Sequence, residues 1–295
     1  MLVRALILLS FPLFAQTQVV LLGTGTPNPE PDRSGPAVAI VIRGKPYIVD
    51  AGPGIVRRAA EAQRKGIAGL AADQLSRAFL THLHSDHTAG LPDLMFTAAV
   101  MGRAEPMLIQ GPPGTARMVN LLLQAYSEDI EIRLKGGEPA LPVSYDIKGK
   151  DTAPGLVYRD DHVRVTAISV PHGSWKQAFA YRFETADGTV VISGDTTFSG
   201  NLIKEAKDCD LLIHEVYCEK GWQRRTPDWQ KYHASFHTSA PDVGRVATKS
   251  GAKKLVLYHH LPMGEPESQV IEEVRRTYKG PLHYGRDLDV FEVKR

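Results

Sequence analysis

The chain has 295 residues, which suits one large domain or two small ones, and 43% hydrophobic residues supply ample material for a core. Charged residues make up an ordinary 23%, and the formal net charge is +2. Basic residues such as Arg57, Arg58, Arg224 and Arg225 form short scattered groups, so no long electrostatic tract for nucleic acid is present. The N-terminus opens with Met1-Leu2-Val3-Arg4, followed by the apolar stretches Ala5–Leu9 and Phe11–Phe14 and then Ala15-Gln16. That pattern reads as a signal peptide over residues 1–15, leaving 16–295 as the folded domain. It is too short and too proline-interrupted for a transmembrane span. The expected chain is periplasmic or secreted, with no stable membrane insertion after cleavage.

Val19–Gly25 reads as a first strand running into a glycine turn, followed by a proline-rich loop. Ala37–Arg43 and Tyr47–Asp50 alternate as a hairpin joined at Gly44-Lys45. A helix follows over 55–65, then a strand ending in Ala78-Phe79-Leu80, a helix near 91–101, a strand at 107–110 and a helix at 115–126. The Gly-, Pro- and polar-rich stretch 127–156 reads as loops with short strands. Strands follow at 163–170, 179–184 and 190–193, the last two separated by Ala186-Asp187-Gly188. Helices at 199–207, 240–250 and 267–278 then alternate with strands at 210–216, 254–258 and 288–293. Meanders that give way to strand–helix alternation predict two sheets packed face to face with helices outside, an α/β (α+β) class. Cys209 and Cys218 bracket the run 210–217; an extended run of that length holds its ends roughly 25–30 Å apart, too far for a disulfide.

The most informative segment is Thr81-His82-Leu83-His84-Ser85-Asp86-His87-Thr88-Ala89-Gly90. A strand ending in a tight loop aims His82 and His84 the same way, because side chains alternate with period two. Asp86 and His87 fall past the bend and face a second point, as two adjacent metal ions require. Imidazole nitrogen and carboxylate oxygen suit zinc, with manganese or iron admitted by ligand type. Further donors stand at strand ends: His172 after Val170-Pro171, Asp195 in Ser193-Gly194-Asp195-Thr196, and His259 and His260 after Leu255-Val256-Leu257-Tyr258.

With those motifs in place, the chain resembles the metallo-β-lactamase superfamily, and within it the branch of the tRNA 3′-end endonucleases (ribonuclease Z type) and related arylsulfatases. The similarity runs from Leu21-Leu22-Gly23-Thr24-Gly25 to the C-terminus. It rests on T-H-L-H-S-D-H-T-A-G-L-P-D-L, P-H-G with A-Y-R-F, S-G-D-T, I-H-E, H-T-S and L-V-L-Y-H. The resemblance implies an αββα sandwich of two mixed sheets with two metals at the edge between them. It implies that His82, His84 and His172 hold one Zn2+, that Asp86, His87 and His259 hold the second, and that Asp195 bridges both. His260 is the alternative to His259 by one position of register. Asp50 would orient a ligand histidine from outside the ligand set.

Two adjacent divalent cations (zinc, with Mn2+ or Fe2+ as substitutes) bring a shared water to ionise near neutrality, so a bridging hydroxide is the expected nucleophile. The candidate catalytic residues are Asp86, His237 as general acid, and Glu215, which would orient and charge His237. His214 and His233 are further candidates for substrate contact, and Arg103, Tyr126, Trp175 and Lys176 are expected to line the pocket.

The endonucleases of this branch usually carry a long arm between the G-Y-R strand and the S-G-D-T strand. Here Tyr181-Arg182-Phe183 leads through a short turn to Ser193. Together with the near-neutral charge and the expected export, this favours an exported dinuclear zinc hydrolase of a small-molecule anionic ester, arylsulfatase or phosphodiesterase type, with no nucleic-acid partner and a homodimer left open. A lactonase or β-lactamase-type hydrolase, a ribonuclease Z-like tRNA 3′-endonuclease and a non-catalytic metal-binding module are the alternatives.

Overall fold

The structure, a computed structural model, describes residues 17–294, so the expected leader over residues 1–15 lies outside the described residues. Two seven-stranded sheets lie against each other. The first runs in the order β14 (Val290–Val293), β1 (Thr17–Gly23), β2 (Ala37–Ile42), β3 (Lys45–Val49), β4 (Arg77–Phe79), β5 (Met107–Gly111) and β6 (Ile147–Asp151). The second runs β13 (Leu282–Tyr284), β12 (Leu255–Leu261), β11 (Leu211–Tyr217), β10 (Thr189–Ile192), β9 (Ala178–Thr185), β8 (Val163–Val170) and β7 (Gly155–Arg159). Each sheet is antiparallel on one side and parallel on the other: β3, β4, β5 and β6 pair in parallel, as do β10, β11, β12 and β13. The two mixed sheets match the architecture expected from the sequence.

Parity along the strands explains the layers. Val19, Leu21, Val38, Ile40, Tyr47 and Val49 face the second sheet, while Val20, Leu22, Ala39, Val41 and Ile48 face the helices. A period of two splits one continuous apolar run between two cores, so such strands read as unbroken hydrophobic segments. The outer face of the first sheet is covered by α1 (Ile55–Arg64), α3 (Leu91–Val100) and α4 (Thr115–Ala125), through Ile55, Ala59, Leu91, Met95 and Val119. The outer face of the second is covered by α6 (Gly200–Glu205), α9 (Ala240–Ser250) and α10 (Glu267–Arg275), through Leu202, Val243, Val246, Val270 and Val274. The seam between the sheets is filled by aromatics. Phe79 lies 5.7 Å from both Tyr181 and Phe183 and 5.8 Å from Tyr158, ring centre to ring centre, in edge-on contacts.

The stretch 127–156 holds more order than its composition suggests, because Ser127–Lys135 forms a helix, α5. None of its residues is buried, so it has no apolar periodicity to read. Its signal is electrostatic: Glu128 and Asp129 occupy the first turn, Arg133 and Lys135 the last, and Asp129–Arg133 and Glu131–Lys135 pair one turn apart. A second unanticipated helix, α8 (Pro227–Phe236), also lacks buried residues. Thr226 precedes it, Pro227 opens it and Asp228 sits in its first turn, a start signal without a hydrophobic stripe. Cys209 and Cys218 are both free and buried, at opposite ends of β11.

Candidate metal centre

The site forms where strand ends from both sheets meet. Beyond β4 the chain stays extended through His84, then turns into the short helix α2 (Ser85–Thr88). His82 and His84 face the same space, with Nε2 of His82 3.0 Å from Nδ1 of His84. His172 follows β8 and places its Nε2 3.2 Å from the same His84 nitrogen. Asp195 follows β10 after Gly194, whose φ of 58° is left-handed. A Cβ at Gly194 would stand 2.6 Å from the Phe179 carbonyl oxygen and 2.8 Å from Thr81 Cβ, so only glycine admits this turn.

His259 arrives by a different device. The β11–β12 ladder pairs Glu215 with Tyr258 and Val216 with His260, skipping His259, whose φ is 45°. The bulge re-aims that one side chain inward, with Nε2 3.2 Å from Asp86 and 3.5 Å from Asp195. His260 turns the other way and stacks on Tyr284, ring centres 3.8 Å apart. Of the two, His259 is the ring that the fold brings to the donor cluster. Three donor groups result, His82 with His84, His172 and Asp195, Asp86 with His87 and His259, and Asp195 with His237 and His259; within each, the donor atoms lie within 4.8 Å of one another.

Outside contacts set the ring protons. His87 Nδ1 donates to Asp50 Oδ2 at 2.8 Å, His82 Nδ1 to Thr81 Oγ1 at 3.0 Å, and His172 Nδ1 to the Phe236 carbonyl at 2.7 Å. In all three the Nε2 lone pair is left facing inward, the arrangement a metal ligand needs. Asp50 also receives the Thr81 hydroxyl at 2.8 Å and backbone N–H at 2.7 Å, so one carboxylate fixes His87 directly and His82 through Thr81. His84 differs. The Trp175 indole donates to its Nε2 at 2.8 Å, which holds the proton of the neutral ring on Nδ1, so coordination through Nδ1 must displace it.

Burial pushes His82 well below the ordinary histidine value and His172 down to about 4. Burial also opposes a charged His87, but the Asp195 and Asp50 carboxylates outweigh it and hold its pKa well above the ordinary value. For Asp195, burial acts upward and is overcome by His259, His87 and His82, which hold the carboxyl far down. Among the described residues, no lysine or arginine pairs with Asp50, Asp86, Asp195 or Glu215. Inward Nε2 of His87 and Oδ1 of Asp195 are buried with no hydrogen-bond partner. Buried carboxylates with no lysine or arginine beside them, balanced only by imidazoles whose Nε2 faces the same space, fit divalent cations.

His237 lies between α8 and α9, with Nδ1 3.4 Å from Glu215 Oε2 and 3.8 Å from Asp195 Oδ2. Glu215 is anchored by its other oxygen, which accepts from Thr238 N at 2.8 Å and Thr196 N at 3.3 Å. Burial and Asp195 push its carboxyl well above the usual range, and burial lowers His237 to about 4, so the neutral pair is favoured.

A cavity of ≈ 740 Å³ opens over Asp86, Asp195, His237 and His259 and also takes in His233. Arg103, Tyr126, Trp175 and Lys176 do not line it. Arg103 is fully buried, and its guanidinium is used up on the carbonyls of Ser144, Glu105 and Met95. Tyr126 packs on Phe96 at 4.4 Å, Lys176 is exposed, and Trp175 serves His84 instead. His214 is fully buried, with Nδ1 donating to the Glu215 carbonyl at 2.7 Å. Arg33, Arg225, Trp229 and Tyr232, not anticipated from the sequence, do line the cavity.

The sequence family described as a beta-lactamase superfamily domain matches residues 46–260, a span that carries every one of these donors. Ribonuclease Z of Mycobacterium bovis (strain BCG / Pasteur 1173P2) is 32% identical over 282 residues, covering 94% of this chain and 98% of its own. Ribonuclease Z of Mycobacterium sp. (strain KMS) is 34% identical over 284 residues, covering 94% and 96%. Among solved structures, the short form of human tRNase Z superposes with a TM-score of 0.69 at 21% identity, covering 94% of this chain and 99% of that one. The metallo-β-lactamase fold protein YhfI from Bacillus subtilis gives 0.68 at 20% identity, covering 93% and 98%. These structural likenesses concern the fold alone.

The class defined by this fold and its matched donor span is the metal-dependent hydrolase. The chain belongs to the metallo-β-lactamase superfamily, in its ribonuclease Z branch. That placement overturns the expectation of an arylsulfatase-type hydrolase of a small anionic ester, and with it the expectation that no nucleic acid is a partner. Net charge sums the whole surface and is blind to local placement, and Arg33 and Arg225 stand together at this one cavity.

Proposed function

We propose that the chain is a metal-dependent endoribonuclease of the ribonuclease Z type, hydrolysing a phosphodiester bond near the 3′ end of a tRNA precursor with a pair of zinc ions. The observation that carries this reading is the similarity, over 94% of the chain, to proteins named Ribonuclease Z. The donor arrangement supports it: His82, His84, His172 and Asp195 would hold one ion, and Asp86, His87 and His259 the other, next to Asp195. When bound, the pair supplies Lewis acidity toward a phosphoryl oxygen and toward water.

The protein's own groups handle orientation and protons. Asp50 and Thr81 keep His87 and His82 in the tautomer with an inward lone pair. Backbone N–H groups of Thr196 and Thr238 pin Glu215, which in turn faces His237. With Nδ1 of His237 turned to Glu215, its Nε2 is left for the cavity, where it would protonate the leaving ribose oxygen. Strands β9 and β10 are joined by the turn Ala186-Asp187-Gly188, so the grip on RNA must come from other parts of the chain.

The test is incubation of the purified, zinc-loaded protein with a tRNA precursor bearing a 3′ trailer, with product ends mapped on a sequencing gel. A discrete cut at the acceptor end supports the reading. An intact precursor, with metals bound and the protein folded, refutes it.

A further inference from the structure

Helix α8 carries Trp229, Tyr232, His233 and Phe236, the spacing that puts side chains on one helix face. Their rings form a continuous track. Trp229 stacks on His233 at 5.7 Å and 27°, and Tyr232 stacks on Phe236 at 4.4 Å and 24°. Phe236 in turn lies 6.2 Å from His84 and 5.1 Å from His172. The inner end of the track therefore meets the metal centre. Its outer end is open: Trp229 is 55% exposed and Tyr232 37%. Phe236 packs on Gly173 and His172, but Trp229 and Tyr232 stand exposed, and packing against the fold does not account for those two rings.

Charge on the cavity wall is complementary to a phosphate chain. Arg225, just ahead of α8, is exposed and lines the cavity beside Trp229 and His233. Across the cavity, Arg33 bonds Thr24 Oγ1 and the Gly285 carbonyl. Among the described residues neither arginine is paired with a carboxylate. Of the acidic groups lining the cavity outside the donor cluster of Asp86 and Asp195, Glu265 is held by Lys220 and Arg224 and Glu267 by Arg286, which leaves Glu30.

We propose that this track is a subsite for single-stranded RNA, on which the bases of unpaired nucleotides beside the scissile phosphodiester stack on Tyr232 and Trp229 while Arg225 takes their backbone phosphate. The inference rests on the RNA-cleavage reading and adds to it where the strand is held. Trp229 and Phe236 are separated by roughly 10 Å along the helix axis. That is about three stacked nucleotides at ~3.4 Å each. Because every base has a π-face, such a platform accepts any sequence.

The test uses the zinc-loaded full chain and a fluorescein-labelled single-stranded oligoribonucleotide, with a second version carrying abasic riboses at adjacent positions. Binding is read by anisotropy, and a gel checks that the RNA is still intact. Removing the bases should weaken binding to the wild type by about 5- to 100-fold. In Trp229→Leu that penalty should largely vanish, and Trp229→Phe should restore it. Trp229 is half-exposed, so the leucine variant should fold; Tyr232→Leu gives the second reading. An abasic penalty as large in Trp229→Leu and Tyr232→Leu as in wild type overturns the subsite, even if the precursor is cut. A base-dependent affinity that tracks Trp229 supports it, even if no RNA is cleaved, and failure would then fall on the proposed reaction. No binding of either oligonucleotide overturns the subsite outright.

Discussion

Asp50 holds His87 by a 2.8 Å hydrogen bond from imidazole Nδ1 to carboxylate Oδ2, from a residue whose own φ is 60°. A non-glycine residue at positive φ pays a conformational cost, and asparagine tolerates it about as well as aspartate. Asp50→Asn therefore removes the charge and keeps the turn. Metal affinity should fall about 10- to 100-fold, as when a carboxylate behind a ligand histidine is lost. Competition with a fluorescent chelator checks this, and unchanged affinity would show that Asp50 serves the loop alone.

His237→Ala should separate chemistry from metal binding. The ring faces Glu215 as well as Asp195, and the proposed reaction uses it with Glu215 to handle protons. Turnover on RNA should drop by roughly 10²–10⁴. Metal content by elemental analysis should stay at the wild-type level, and its loss would make His237 a ligand.

The two outcomes bear on what the sequence could reveal. His82, His84, Asp86 and His87 sit in one short loop, so their convergence could be read from period-two geometry and a bend. His259 against His260 could not be read, because the deciding feature is a bulge in the β11–β12 pairing. Arg103 looked like an anion contact, yet its surroundings are carbonyls brought in from Ser144 and Glu105, contacts that only the folded chain reveals. Strand parity made both sheets legible, whereas α5 and α8 bury nothing and gave no periodicity. The aromatic face of α8 was hidden for that reason.

Asp160 supplies a pH test away from the metal centre. Burial acts to raise its carboxyl, but hydrogen bonds from Tyr47 at 2.6 Å and Lys45 at 2.9 Å, with the His162 N–H, hold it far below the usual range. A depressed carboxylate stabilises the fold above its unfolded pKa of about 3.9, and that stability is lost as pH falls toward the folded value. Asp160→Asn should cost about 1–3 kcal/mol at neutral pH. Urea unfolding at successive pH values should show the gap to wild type shrinking only below about pH 4. A constant gap down to strong acid would contradict the assignment.

Phe79 tests the seam between the sheets. Its ring contacts Tyr158, Tyr181 and Phe183, and it is fully buried. Phe79→Ala should destabilise by about 3–5 kcal/mol. Denaturant titration of the metal-loaded protein measures it, and a loss below about 1 kcal/mol would mean that the two sheets close over the gap.

The central claim is that one shared donor cluster cuts RNA. The most direct measurement is cleavage of a 3′-extended tRNA precursor by wild type and by Asp195→Ala, with metal content determined on the same samples. Asp195 stands within 3.5 Å of both His87 and His259, so its loss should strip metal and abolish cleavage together. A metal-loaded wild type that leaves the precursor intact, or an Asp195→Ala protein that still cuts it, would contradict the account.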